Sequence, residues 1–152
     1  MNNESQVASL FGKRIKYSDV KLSWDDALEQ SIAMLQNDGI VNQHYIEAIR
    51  SVTDEIGPYY ILTDDLAMPH ARPDEGVIAG QGGLSLLICH SPVRFDQEHS
   101  AVRAFIGLAA GDSEQHVLTI SNLMNWLDSD DAMEKLLSVQ NQSELERLVE
   151  SA

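Results

Sequence analysis

Leu84-Ser85-Leu86-Leu87-Ile88-Cys89 is an almost unbroken apolar run that follows a glycine cluster at Gly80, Gly82 and Gly83. A strand with one wet face alternates apolar and polar residues. A run without that alternation suits a strand covered on both faces, and so a sheet with helices on both sides. The stretch from Ala101 to Ala110, with Val102, Phe105, Ile106 and Leu108, predicts a second buried strand. Between the two, Ser91-Pro92 reads as a turn and Val93-Arg94-Phe95 as an edge strand.

Upstream, the period changes to that of helices. Ser23 with Asp26 has capping-box spacing, and Trp24, Ala27, Leu28, Ile32 and Leu35 form one apolar stripe, which Gly39 ends. Asn42 opens a second helix with Tyr45, Ile46, Ile49 and Val52 on its packing face, ended by Gly57-Pro58. Tyr59-Tyr60-Ile61-Leu62 then has strand composition, Asp64-Asp65 reads as a turn, and Leu66-Ala67-Met68 as a short strand. From Met1 to Leu22 the pattern is sparse: a short helix around Val7, Leu10 and Phe11, then an edge strand at Ile15-Lys16-Tyr17.

Downstream, Gly111 breaks the second buried strand, and Asp112 to Gln115 has the acids and spacing of a helix start. That helix runs to about Trp126, with Val117, Ile120, Met124 and Leu127 as its core stripe. Ser129 is expected to cap the next helix, through Leu137. Ser143 with Glu146 is expected to cap the last, which packs on Leu145, Leu148 and Val149. No repeat or long linker divides the chain, so the expectation is an α/β fold: a single domain over residues 1–152, built on a mixed sheet of about five strands sandwiched by α-helices.

Composition narrows the function classes. Hydrophobic residues make up 43% and charged residues 22% of 152, a globular balance. No apolar stretch approaches the ~20 residues of a membrane span, and Met1 to Gln6 lacks the flanks of a signal peptide, so a soluble cytoplasmic protein is expected. The net charge of −14 repels phosphate backbones and argues against nucleic-acid binding. The lone Cys89 sits in an apolar run, where an inert thiol is the default. Five histidines show no metal-ligand spacing, and no cofactor motif is present.

Leu66-Ala67-Met68-Pro69-His70-Ala71-Arg72-Pro73-Asp74-Glu75-Gly76 places a histidine where an apolar run ends. His70 reads either as a surface-loop residue or as a nucleophile at the lip of the sheet, since neutral imidazole needs no special activation. His116, in the first turn of a helix that follows a buried strand, reads either as a helix-surface residue or as a partner in the same site. Strand ends and helix N-termini gather anions, so a shared site would suit a phosphoryl group. Arg72 would neutralise phosphate or pair with Asp74 or Glu75. His44, His90 and His99 read as solvated or turn residues. No P-loop is present, so a protein would donate the phosphate.

The segment from Leu66 to Val77 resembles the active-site segment of enzyme IIA components of the bacterial phosphoenolpyruvate:sugar phosphotransferase system, mannitol/fructose type. Gly57-Pro58-Tyr59-Tyr60, and Ala109-Ala110 through Gln115-His116 to Asn122-Leu123, look especially like ascorbate-specific members. The resemblance implies a phosphohistidine carrier: His70 accepts phosphate at Nε2 from HPr and passes it to a cysteine of enzyme IIB, with His116 supporting the phosphoryl group. The sugar implied is L-ascorbate or a relative. The chain departs from the pattern at Ala71, where many members have glycine, and a Cβ there disfavours positive φ. Arg50 cannot be matched to the arginine of mannitol members. Cys89 lacks the loop expected around a IIB phosphocysteine, so a free-standing IIA unit is implied. The alternative is a regulatory module that signals through His70 phosphorylation without feeding a transporter; a histidine phosphatase lacks a placed general acid.

Overall fold

The structure, a computed structural model, describes residues 8–111, 113–129 and 131–151, apart from the side chains at 113, 115 and 116. A short helical turn over 8–11 leads into β1 (Ile15–Ser18). Then follow α1 (Trp24–Asn37), α2 (Gln43–Ile56), β2 (Ile61–Thr63), β3 (Asp65–Ala67), a 3-10 turn (Pro73–Glu75), β4 (Gly83–Val93), β5 (Val102–Ala109), α3 (Ser113–Leu127), α4 (Ala132–Ser138) and α5 (Gln142–Glu150).

The strands form a five-stranded sheet in the order β1-β4-β5-β3-β2. The sheet is mixed, because β1 runs parallel to β4 and β3 parallel to β5, while β4 and β5 are antiparallel. Strand alternation sorts the core into two layers. Leu84, Leu86 and Ile88 of β4 and Ala104, Ile106 and Leu108 of β5 pack with Leu123, Trp126, Leu136 and Leu145 from α3, α4 and α5. Leu87, Cys89, Val102, Phe105 and Ala109 face Leu28, Ile32, Tyr45 and Ile49 of α1 and α2. Both faces of β4 are therefore buried, as its unbroken apolar run required. Fully burying each such aliphatic side chain stabilises the fold by roughly 1.5–3 kcal/mol.

Polar contacts tie the layers. The Ser85 hydroxyl, buried in β4, donates to the Ser31 carbonyl of α1 at 2.6 Å. Gly107 makes room for it, since a Cβ there would collide with Ser85 Oγ. A buried chain runs from Trp24 Nε1–H to Tyr60 Oη, from Tyr60 to Thr53 Oγ1 and from Thr53 to the Ile49 carbonyl. Each hydroxyl in it has one donor role and one acceptor role filled.

The first two helices start and stop where expected. Ser23 accepts from the Asp26 amide, Asn42 accepts from the His44 amide, and Gly39 and Gly57 take positive φ just beyond the two helices. Other boundaries differ. The chain does not turn at Ser91-Pro92: β4 continues to Val93, with its pairing to β5 irregular between Ile88 and Val93. Proline is tolerated where the ladder is interrupted. Phe95 lies beyond the strand, its ring 5.8 Å from Trp24. Ser129 closes α3 rather than opening α4, its amide and hydroxyl both donating to the Trp126 carbonyl. The last helix is capped by Asn141, which accepts from the Glu144 amide, not by Ser143 and Glu146. Asp112, the expected opening of α3, lies outside the described residues.

Candidate functional site

β3 carries the site. Leu66, Ala67, Met68 and Pro69 are buried, and the chain emerges half-buried at His70. Two ladder-like bonds hold the emerging segment: Met68 N–H donates to the Tyr60 carbonyl (2.9 Å) and Leu108 N–H to the Pro69 carbonyl (3.0 Å). Because β3 and β5 are parallel, their carboxyl ends lie side by side, and β5 leads directly to α3. β3 itself ends at Ala67; proline at position 69 keeps only its carbonyl for pairing, so the backbone bonding to the neighbouring segments stops there and His70 starts the loop.

The imidazole is oriented by its own backbone. His70 Nδ1 lies 2.7 Å from the Met68 carbonyl oxygen. A carbonyl only accepts, so Nδ1 carries the proton and Nε2 the lone pair of the neutral ring. Tyr59 meets the ring edge-on at 5.8 Å, and its hydroxyl donates to the His70 carbonyl. Burial pushes the Tyr59 phenol up to about 12, so it stays protonated and able to donate near neutrality.

A cavity of about 520 Å³ opens over this histidine, lined by Val52, Tyr59, His70, Ala71, Arg72, Pro73, Glu75 and Val117. Val117 brings the first turn of α3 to the same cavity. It is 67% exposed, so it does not belong to the core stripe assigned to it, which instead runs through Ile120, Leu123, Met124 and Leu127. Amphipathic spacing cannot distinguish a core position from an apolar residue overhanging a cleft. His116 precedes Val117 in that turn, and its side chain lies outside the described residues.

Arg72 lines the cavity and is already engaged. Its Nε lies 3.2 Å from Glu75 Oε1 and 3.8 Å from Asp74, while the same Glu75 oxygen accepts from the Arg72 amide. Ala71 is not among the non-glycine residues with positive φ, which are Asp65 and Asp131 among the described residues. Its Cβ therefore brings no left-handed strain, and the methyl packs against the α1–α2 layer. Gly76 is the glycine this loop requires. It has φ +136°, and a Cβ there would sit 2.7 Å from both Asn42 Oδ1 and the Tyr45 amide nitrogen.

The other candidates fall elsewhere. His44 is exposed beside Glu47, His90 meets the Tyr17 hydroxyl, and His99 is held by Asp96, whose carboxyl that contact keeps below its ordinary range. Burial pushes the Cys89 thiol up to about 12, as suits an inert core residue. Arg50 is spent on Asp25, with Nε and Nη2 at 2.8 and 3.0 Å from its oxygens. Asp25, Asp26 and Glu29 lie close enough to share a cation, but they are exposed and Arg50 already bridges Asp25 and Glu29. A larger depression of about 700 Å³ between α4 and α5 mixes acids with Lys135 and Arg147 and shares no residue with the histidine cavity.

A half-buried imidazole with a fixed tautomer, at the mouth of a cavity beside a helix start, is suited to carrying a group on Nε2. Residues 10–152 match the family model described as phosphoenolpyruvate-dependent sugar phosphotransferase system, EIIA 2. The chain belongs to that EIIA family. A mannitol-specific cryptic phosphotransferase enzyme IIA component of Escherichia coli (strain K12) is 32% identical over 126 residues, covering 83% of this chain and 84% of that one. The solution structure of the Escherichia coli mannitol-specific cryptic enzyme IIA aligns with a TM-score of 0.86 at 29% identity, over 96% of this chain and 99% of that one. An ascorbate-specific EIIA component of Shigella boydii is 29% identical over 140 residues, 91% and 90% of the two chains. A complex of enzyme IIA mannitol with phosphorylated enzyme IIB mannitol from Escherichia coli aligns at TM-score 0.72 and 25% identity, over 92% of this chain and 96% of that one. The EIIA chain is thus a phosphoryl carrier of the sugar phosphotransferase system. Among the described residues no helix is long and apolar enough to cross a membrane.

Proposed function

We propose that His70 is the phosphoacceptor of this EIIA chain, taking phosphate from phospho-HPr and passing it to a cysteine of an enzyme IIB in the cytoplasm. The reading rests on one observation, the Nδ1 to Met68 carbonyl contact of 2.7 Å. It serves both directions of the transfer. Nε2 attacks phosphorus with its lone pair, and the donor P–N bond breaks, its electron pair returning to the donor nitrogen. The ring then carries positive charge shared with Nδ1–H, which the Met68 carbonyl stabilises. When a IIB thiolate attacks, the P–N electrons return to Nε2 and neutral imidazole leaves, because the Nδ1 proton never departed. Positioning and electrostatics are what phosphoryl transfer asks of a protein.

His116 is assigned to support the phosphoryl group, with the free backbone N–H groups that a helix start presents to an anion. Support comes from Val117, its neighbour, which lines the His70 cavity. Arg72 is assigned a secondary place at the rim, since reaching phosphate requires it to leave Glu75. The transported solute is assigned as L-ascorbate or a related sugar, an assignment supported by the match to an ascorbate-specific component over 91% of this chain, against 83% for the mannitol-specific cryptic one. The test is a reconstituted relay of phosphoenolpyruvate, enzyme I and HPr, with IIB added last. Label should enter this chain at His70 and leave on adding IIB. Stable label that no IIB discharges would instead support a regulatory role.

A further inference from the structure

The peptide group joining His70 to Ala71 is gripped at both ends by tyrosine hydroxyls. Tyr59 Oη–H donates to the His70 carbonyl, and the Ala71 N–H donates to Tyr45 Oη at 3.1 Å. Tyr45 is itself fixed. Its ring is fully buried in α2, and its single hydroxyl proton goes to the Leu108 carbonyl at the end of β5, its shortest contact; the Ala71 carbonyl lies farther off at 3.2 Å. Tyr59 is fixed through its neighbour, because Tyr60 is locked into the buried chain from Trp24 to Ile49 and packs edge-on against Tyr59 at 4.8 Å.

The geometry points to Tyr45 and Tyr59 as positioning residues for phosphoryl transfer: together they hold the peptide plane that follows His70, and with it the Cα from which the ring reaches both the Met68 carbonyl and the cavity. This assignment rests on His70 being the phosphoacceptor. One peptide orientation is defined by one C=O and one N–H, and both are engaged. The ring is held through Nδ1 at 2.7 Å from the Met68 carbonyl, a contact that depends on where that Cα sits. Backbone and ring are therefore both set before a donor arrives, which is how a site avoids reorganisation during reaction. The Leu108 bond adds a second role. It ties the loop after His70 to the strand that feeds α3, so both walls of the cavity share one anchor. Burial holds the Tyr45 phenol far above its ordinary range, so it keeps its proton at working pH.

The test compares Tyr59→Phe, Tyr45→Phe and the double variant with the wild-type chain. Each substitution keeps the ring and removes one hydroxyl. The turnover number for phosphoryl transfer from phospho-HPr should fall about ten- to a hundredfold, with little change in KM for HPr, the signature of misplacement rather than lost docking. Nitrogen-15 spectra should show the His70 ring losing its single Nδ1–H tautomer, and the Ala71 amide should exchange faster in Tyr45→Phe. Circular dichroism and thermal melts identify any variant that fails to fold, and Tyr59→Phe at the cavity rim keeps the test open if Tyr45→Phe does. Wild-type turnover with unchanged His70 ring nitrogens in folded variants overturns the assignment. A wild-type chain that takes no phosphate on His70 overturns the functional reading instead, whatever the variants do.

Discussion

His70 Nδ1 stands 2.7 Å from the carbonyl oxygen of Met68, two residues back in the segment that leaves β3. This contact fixes the tautomer, so the phosphorylated atom should be Nε2. Nitrogen and phosphorus NMR of the phosphorylated chain distinguishes the two ring positions. A phosphate on Nδ1 would mean that the contact with Met68 breaks on phosphorylation, against the assignment.

Gly76 should not accept a side chain. Gly76→Ala combines a positive φ with a Cβ 2.7 Å from the Tyr45 amide nitrogen, so it should destabilise by roughly 1–3 kcal/mol in urea denaturation. An unchanged midpoint would show that the contact between this loop and α2 gives way at little cost.

Ala71→Gly should restore the residue that many family members carry, yet gain nothing. Ala71 is not in the left-handed region, so glycine there should lower stability by about 0.4–1 kcal/mol through the unfolded chain and leave phosphoryl transfer intact. Increased stability in thermal melts would place Ala71 under strain that its backbone does not show.

Much of this architecture was legible in the residues, and the exceptions share one cause. The apolar run from Leu84 to Cys89 announced a strand buried on both faces, and the Pro69-His70 step announced the strand end, because both signals are local. Helical spacing marks Tyr45 only as an apolar stripe residue. Its hydroxyl partners lie 26 and 63 residues away, beyond any periodicity. A tyrosine rather than phenylalanine on a buried stripe was the available signal, since a buried hydroxyl needs a partner. Val117 falls on the stripe yet outside the core because helical spacing reports which face a residue takes, not whether the core extends beneath it. Pro92 signals a turn yet lies within β4, because the irregular pairing that tolerates it involves the neighbouring strand.

Arg72→Ala separates the two roles left open for that side chain. Its pairing with Glu75 is exposed, so stability should change by less than about 0.5 kcal/mol. If it reaches phosphate during transfer, the rate should fall about two- to fivefold, the scale of an exposed ion contact. Unchanged kinetics would leave it as a partner of Glu75 alone.

Cys89 should make stability decline in alkali. Its thiol is pushed from 9.0 to about 12 in the folded chain, so between those values the unfolded chain loses a proton that the folded one keeps. The contribution is flat below the unfolded value and falls as pH rises through this window. Comparing urea midpoints of wild type and Cys89→Ala from pH 8 to 10.5 isolates it, since the variant should lose that part of the slope. Identical slopes would show that the thiol ionises as easily folded as unfolded.

The proposed relay runs through His70. Incubating the chain with phosphoenolpyruvate, enzyme I and HPr, followed by intact-mass and peptide mapping of wild type and His70→Ala, tests it most directly. One acid-labile phosphate is expected on the His70 peptide of the wild type and none on the variant. Undiminished labelling of a folded His70→Ala chain would contradict it.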